Sequence, residues 1–74
     1  MNEKVKVSNF PVEYYISDIA TGTPAYYGYL AADGSWYIMQ ENSGAYRYIK
    51  GSSGYAANWT GRAGLSYGLY SAVF

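Results

Sequence analysis

The sequence predicts a small, mainly β (small α+β) domain: an antiparallel β-meander of three to five strands with a C-terminal helix packed on one face. Three observations carry this. Short runs of aromatic and β-branched residues recur between breaks rich in glycine, serine and aspartate. Asp33-Gly34 lies between two such runs, where a two-residue type I′ hairpin turn requires positive φ. From Trp59 onward, the aromatic spacing changes to threes and fours.

Taken in order, Lys4-Val5-Lys6-Val7 alternates charge and valine, and Phe10-Pro11 biases the backbone towards an extended form. Val12 to Ser17 is rich in β-formers and reads as a strand. Asp18 to Pro24 is polar and reads as a loop, followed by a strand over Ala25 to Ala31. Ser35 to Gln40 and Ala45 to Lys50 supply two more strands, with Glu41 to Gly44 as a four-residue turn between them and Gly51-Ser52-Ser53-Gly54 closing the second. Residues 1–10 form an N-terminal arm or edge strand; residues 11–74 form one domain, since no linker is long enough to separate two.

The turns fix an expected register. With Asp33-Gly34 as a two-residue turn, Leu30 faces Tyr37, Tyr29 faces Ile38 and Gly28 faces Met39. A four-residue second turn sets Met39 against Tyr46 and Tyr37 against Tyr48. One face then carries Tyr26, Leu30, Tyr37, Met39, Tyr46 and Tyr48, and the other Tyr27, Tyr29, Trp36, Ile38, Arg47 and Ile49. A sheet with one face in water should alternate apolar with polar, so two apolar faces both call for cover.

The C-terminal segment can cover one. Trp59, Ala63, Tyr67, Tyr70 and Phe74 fall on a single helical stripe, with Thr60 as N-cap. Gly61, Gly64 and Gly68 weaken a helix there, each by about 1 kcal/mol relative to alanine, and Leu65, Tyr67 and Leu69 also fit a strand. A helix in this place packs on the face of Trp36, Ile38 and Ile49. Tyr26, Tyr37, Met39, Tyr46 and Tyr48 are thereby left as partner-interface candidates.

Composition narrows the function. The chain has no cysteine or histidine, so the common nucleophile, acid–base and transition-metal arrangements are missing, and no catalytic, cofactor-binding or metal residue is expected. Five cations balance five anions, which removes the positive field that nucleic-acid binding needs. No stretch approaches a membrane span, and MNEKVKVSNF has no apolar run of signal-peptide length. What remains is tyrosine, eleven residues of 74, which gives large contact area at low entropic cost. A chain of this size buries only roughly 60% of its unfolded surface. With no disulfide available, oligomerisation is the expected remedy.

The string TPAYYGYLAADGSWYIMQ, followed by YRYIKG and NWTGRAGLSYGLYSAVF, resembles short, mostly uncharacterised proteins encoded by tailed bacteriophages. The resemblance runs from about Pro11 to Phe74 and rests on YYGY, DGSWYIM, Trp59-Thr60-Gly61-Arg62 and the terminal aromatic Phe74; the glycine-rich last segment departs from it. It implies a virion-associated accessory protein of the capsid, neck or tail, made in the host cytoplasm, and carries over no active-site residues. The expected function is therefore a non-catalytic structural subunit whose partners are further copies of itself or a larger virion protein. The alternative is a glycan-binding module that uses exposed Tyr and Trp platforms.

Overall fold

A computed structural model of the chain describes residues 13–74. The arm expected over residues 1–10, with its Lys4 to Val7 alternation, lies outside the described residues. Four strands, β1 (Tyr14–Ala20), β2 (Ala25–Ala31), β3 (Trp36–Asn42) and β4 (Ala45–Gly51), form one antiparallel sheet in the order β1-β2-β3-β4. This is the expected meander. The expected first loop is shorter than Asp18 to Pro24, because Asp18, Ile19 and Ala20 continue β1 beyond an irregularity at Ser17 and pair with Gly28, Tyr27 and Tyr26.

Both hairpin turns differ from expectation, in opposite senses. The β2–β3 loop holds three residues, Ala32-Asp33-Gly34: Ala31 N–H donates to Ser35 O at 2.8 Å, and Gly34 N–H donates to Ala31 O at 3.0 Å. Gly34 takes φ 94°, while Ser43 is the one non-glycine with positive φ among the described residues. Asp33 therefore stays in ordinary φ space and uses its carboxylate instead, accepting the Ser35 N–H at 2.9 Å. The two-residue type I′ geometry belongs to Ser43-Gly44, at φ 53° and 88°, between the paired Asn42 and Ala45.

One residue more in the first loop slides β2 by one position against β3. Tyr29 faces Tyr37, Leu30 faces Trp36 and Gly28 faces Ile38. Because the side-chain period is two, that slip turns every β2 side chain to the face opposite the expected one relative to β3. The β3–β4 register differs by two, with Met39 against Tyr48 and Tyr37 against Lys50, and so every side chain there keeps its expected face.

Tyr26 accordingly joins Trp36 and Ile38 in the core, at 8%, 3% and 0% exposure. Cover comes from the C-terminal segment, as expected, in pieces. Helix α1 (Tyr55–Thr60) follows Gly54, a 3-10 turn spans Arg62–Gly64, and helix α2 (Tyr70–Val73) closes the chain. Thr60 ends a helix and does not cap the start of one, and no single helical stripe joins Trp59 to Phe74. The break falls at Gly61, whose N–H returns to Ala57 O at 3.1 Å.

Tyr55, Trp59, Leu65 and Tyr67 pack on the core cluster. Gly28 makes room for them, since a Cβ at that position would overlap the Tyr55 hydroxyl and come within 2.9 Å of Trp59 Cε3. The Arg62 guanidinium lies 4.5 Å from the Trp59 ring centre and 5.7 Å from that of Tyr26, and Nη1 donates to Trp59 O at 2.9 Å. Tyr67 then donates its hydroxyl to Arg62 O at 2.9 Å, closing this side of the sheet.

Candidate functional site: an aromatic sheet face

The opposite face carries tyrosine from all four strands, two each from β2 (Tyr27 and Tyr29) and β4 (Tyr46 and Tyr48). Tyr14, Tyr29, Tyr37 and Tyr48 share it by register, with Met39 beside Tyr48. Tyr37 is the hub. Tyr29 stacks on it at 4.4 Å between centroids, Tyr14 meets it edge-on at 4.9 Å, and Tyr48 lies at 6.4 Å. Offset-stacked and edge-to-face pairs of this kind are favoured by the ring quadrupole, each by about 0.5–1.5 kcal/mol beyond burial.

The chain reaches this face by passing around the outer edge of β4. Gly68 pairs with Tyr48 through two backbone hydrogen bonds, of 2.7 and 2.8 Å, and Leu69 to Phe74 then fold over. Tyr70 meets Tyr48 edge-on at 5.3 Å and Phe74 meets Tyr37 edge-on at 5.2 Å; the Lys50 ammonium sits 5.1 Å from the Phe74 ring centre. The cover is thin. Tyr70 is 60% exposed and Phe74 43%, and Tyr46 beside them is 49% exposed.

Of the five residues singled out from sequence, Tyr37, Met39, Tyr46 and Tyr48 lie together on this face. Tyr26 does not: the one-residue slip places it in the core on the other side, where Gln40 Nε2 donates to its hydroxyl at 3.3 Å and Tyr67 packs at 5.9 Å. Tyr29 takes the place expected of Tyr26. Tyr14 joins this face from β1, and Tyr70 and Phe74 correct the expectation of a single helical stripe over the Trp36 face: the break at Gly61 and the Gly68–Tyr48 pairing bring them to this side.

The two faces differ in how they treat phenol hydroxyls. On the core side, Tyr55 donates to Asp18 Oδ2 at 2.8 Å, and burial followed by that bond pushes its phenol up to about 12. Burial, and then the neighbouring Tyr26, pushes Tyr67 up to about 12. On the aromatic face the Tyr37 phenol is also raised, first by burial and then by the tyrosines around it. Among the described residues, no side-chain hydrogen bond holds the hydroxyls of Tyr29, Tyr37, Tyr48 or Tyr70. They are left for water or for a partner's polar groups.

Comparisons with protein-family models, with curated proteins and with solved structures find no match for this chain. Among the described residues no three His, Cys, Asp or Glu side chains gather as metal ligands, and no helix is long and apolar enough to cross a membrane. An open hollow of about 590 Å³ lies at the end of β1 and β2, lined by Glu13, Tyr15, Leu30, Ala31, Ala32 and Asp33. The Asp33 carboxyl there is held below its ordinary range, first by the Ser35 backbone N–H.

Proposed function

We propose that this chain is a non-catalytic assembly subunit that docks through its aromatic sheet face, as an accessory component of a bacteriophage virion assembled in the host cytoplasm. The observation that carries the reading is the continuity of that face. Four strand tyrosines are braced against one another and fringed by the exposed Tyr46, Tyr70 and Phe74, with Ile16 and Ile19 of β1 exposed at 50% and 58%. A contiguous apolar fringe on so small a domain is a contact surface before it is anything else. Large, rigid rings with free hydroxyls are the side chains that bury well without demanding dry surroundings. The phage assignment rests on the sequence resemblance, and the docking role on the face.

The test separates scaffold from fringe. Tyr37 and Tyr48 brace their neighbours, so substituting them disturbs the fold as well as the surface. Tyr46→Ser with Tyr70→Ser changes exposed rings and leaves the hub in place. The unsubstituted chain is expected to sediment as an oligomer, and the double variant to associate at least about tenfold more weakly with unchanged circular dichroism. An unsubstituted chain that stays monomeric at the highest concentration reached refutes self-assembly through this face. A calorimetric titration showing glycan binding, with the rings still exposed, replaces the reading with carbohydrate recognition.

A further inference from the structure

Tyrosine is the readily oxidised aromatic residue that this chain leaves open to solvent. Trp36 is in the core, and Trp59 is half-buried against the Arg62 guanidinium. The chain has no cysteine, so no thiol competes as the first site of oxidation. Three tyrosines are exposed among the described residues: Tyr15 at 68%, Tyr70 at 60% and Tyr46 at 49%. They differ in what lies behind them. Tyr15 shares the core-side face with Leu30 by register, and its hydroxyl donates to Glu13 Oε1 at 3.4 Å. Tyr46 enters none of the ring pairs of the aromatic face among the described residues. Tyr70 is the outermost phenol of a continuous series. Its ring meets Tyr48 at 5.3 Å, Tyr48 lies 6.4 Å from Tyr37, and Tyr37 carries Tyr29 at 4.4 Å and Tyr14 at 4.9 Å.

We propose that this series makes Tyr70 the chain's site of oxidative coupling, where a peroxide-driven one-electron oxidant joins two copies through a dityrosine bond. Removing an electron from a phenol makes its O–H strongly acidic, so the oxidation completes only where the proton can leave. Tyr37 is a poor place for that, since burial already holds its proton more tightly than usual. An electron vacancy formed within the series therefore passes between rings in contact and comes to rest where water takes the proton. Tyr70 is that place: it alone is both exposed and joined to the cluster. Phe74 stacks on it at 4.8 Å but has no hydroxyl and so does not compete. In the coupling step, each of two Tyr70 phenols gives up one electron and its hydroxyl proton. The two phenoxyl radicals bond through carbons ortho to their oxygens, and each ring regains aromaticity as the hydrogen on that carbon moves to the oxygen. The two electrons and two protons reduce one hydrogen peroxide to two waters at a haem-peroxidase class of oxidant. Coupling needs no prior assembly, because exposed radicals also join on collision; where copies have docked, it fixes them covalently.

The full-length chain, treated with hydrogen peroxide and a haem peroxidase, tests this by denaturing gel, dityrosine fluorescence and peptide mass spectrometry. The expected product is a covalent dimer whose cross-linked peptide pairs Tyr70 with Tyr70 at the loss of two hydrogens. Tyr70→Phe keeps the ring and its packing, and should lose most of that dimer with unchanged circular dichroism. Tyr15→Phe with Tyr46→Phe should retain it. Tyr48→Phe removes the phenol next to Tyr70 in the series and should lower the share of coupling at Tyr70. Cross-links spread over Tyr15, Tyr46 and Tyr70 according to exposure overturn the proposal, as does a Tyr70 share that Tyr48→Phe leaves unchanged. An oligomeric chain that forms no dityrosine overturns it while docking through the aromatic face stands. A monomeric chain that couples through Tyr70 supports it and removes the docking reading.

Discussion

Gly28 is the position at which a single methyl group tests how the domain is layered. Alanine there would place Cβ in the Tyr55 hydroxyl and at 2.9 and 3.0 Å from Trp59 Cε3 and Cζ3, so α1 has to lift from the sheet. Overpacking of this kind costs about 1–3 kcal/mol. Lifting α1 also parts Tyr55 from Asp18, now 2.8 Å away, and for a partly exposed bond to a carboxylate a further loss of about 1 kcal/mol is reasonable. The sum, about 2–4 kcal/mol, is a large share of the roughly 4–11 kcal/mol that a chain of this length commands. Thermal unfolding followed by near-ultraviolet circular dichroism should show Gly28→Ala melting about 10–25 °C lower. A double-mutant cycle with Tyr55→Phe adds a sharper requirement. The phenylalanine removes the overlapping oxygen and the bond together, so Gly28→Ala should cost at least about 1 kcal/mol less in that background. If Gly28→Ala stays within about 0.5 kcal/mol of the parent in both backgrounds, α1 does not lie over Gly28 and the assignment of the covered face fails.

Two further outcomes follow from the turns and the phenols. Ser43→Asn should stabilise the β3–β4 hairpin by up to about 1 kcal/mol in denaturant unfolding, because asparagine tolerates the left-handed region that serine occupies there at φ 53°. Spectrophotometric titration should find tyrosines that ionise late, with Tyr55 and Tyr67 near about 12 against an ordinary 10. Both phenols hold their proton more tightly folded than unfolded, so their contribution to stability is intact below pH 10 and is lost as pH rises through about 12. Tyr55→Phe and Tyr67→Phe should each remove one late step.

Much of the fold was legible because strand formation here is local. Runs such as Ala25 to Ala31 and Ala45 to Lys50 announce themselves through β-formers bounded by turn residues, and Tyr46, Tyr48 and Met39 kept their expected face because the second turn shifted register by an even number. Tyr26 and Tyr29 exchanged roles because Asp-Gly suits two turns of different length. As the middle of a type I′ turn it needs positive φ at both residues; as the end of a three-residue loop it needs positive φ at glycine alone. The Asp33 carboxylate on Ser35 N–H favours the second, and one residue decides which ring is core.

Local pattern and composition alone called for an antiparallel meander of three to five strands, an aromatic surplus too large for a small core, and a C-terminal segment suited to cover Trp36, Ile38 and Ile49. Those properties follow from local propensity and composition, which act within a few residues of one another. Which tyrosines share the open face, and how the chain reaches it, follow from strand register and from the pairing at the edge of β4. Gly61 ends one helix early, Gly68 pairs with Tyr48 at the edge of β4, and the last residues cross to the far side. The break at Gly61 is a local glycine effect, whereas the Gly68 pairing and the crossing depend on contacts between residues far apart in the chain, where a backbone hydrogen bond or an accommodated ring outweighs the helical spacing of the same side chains.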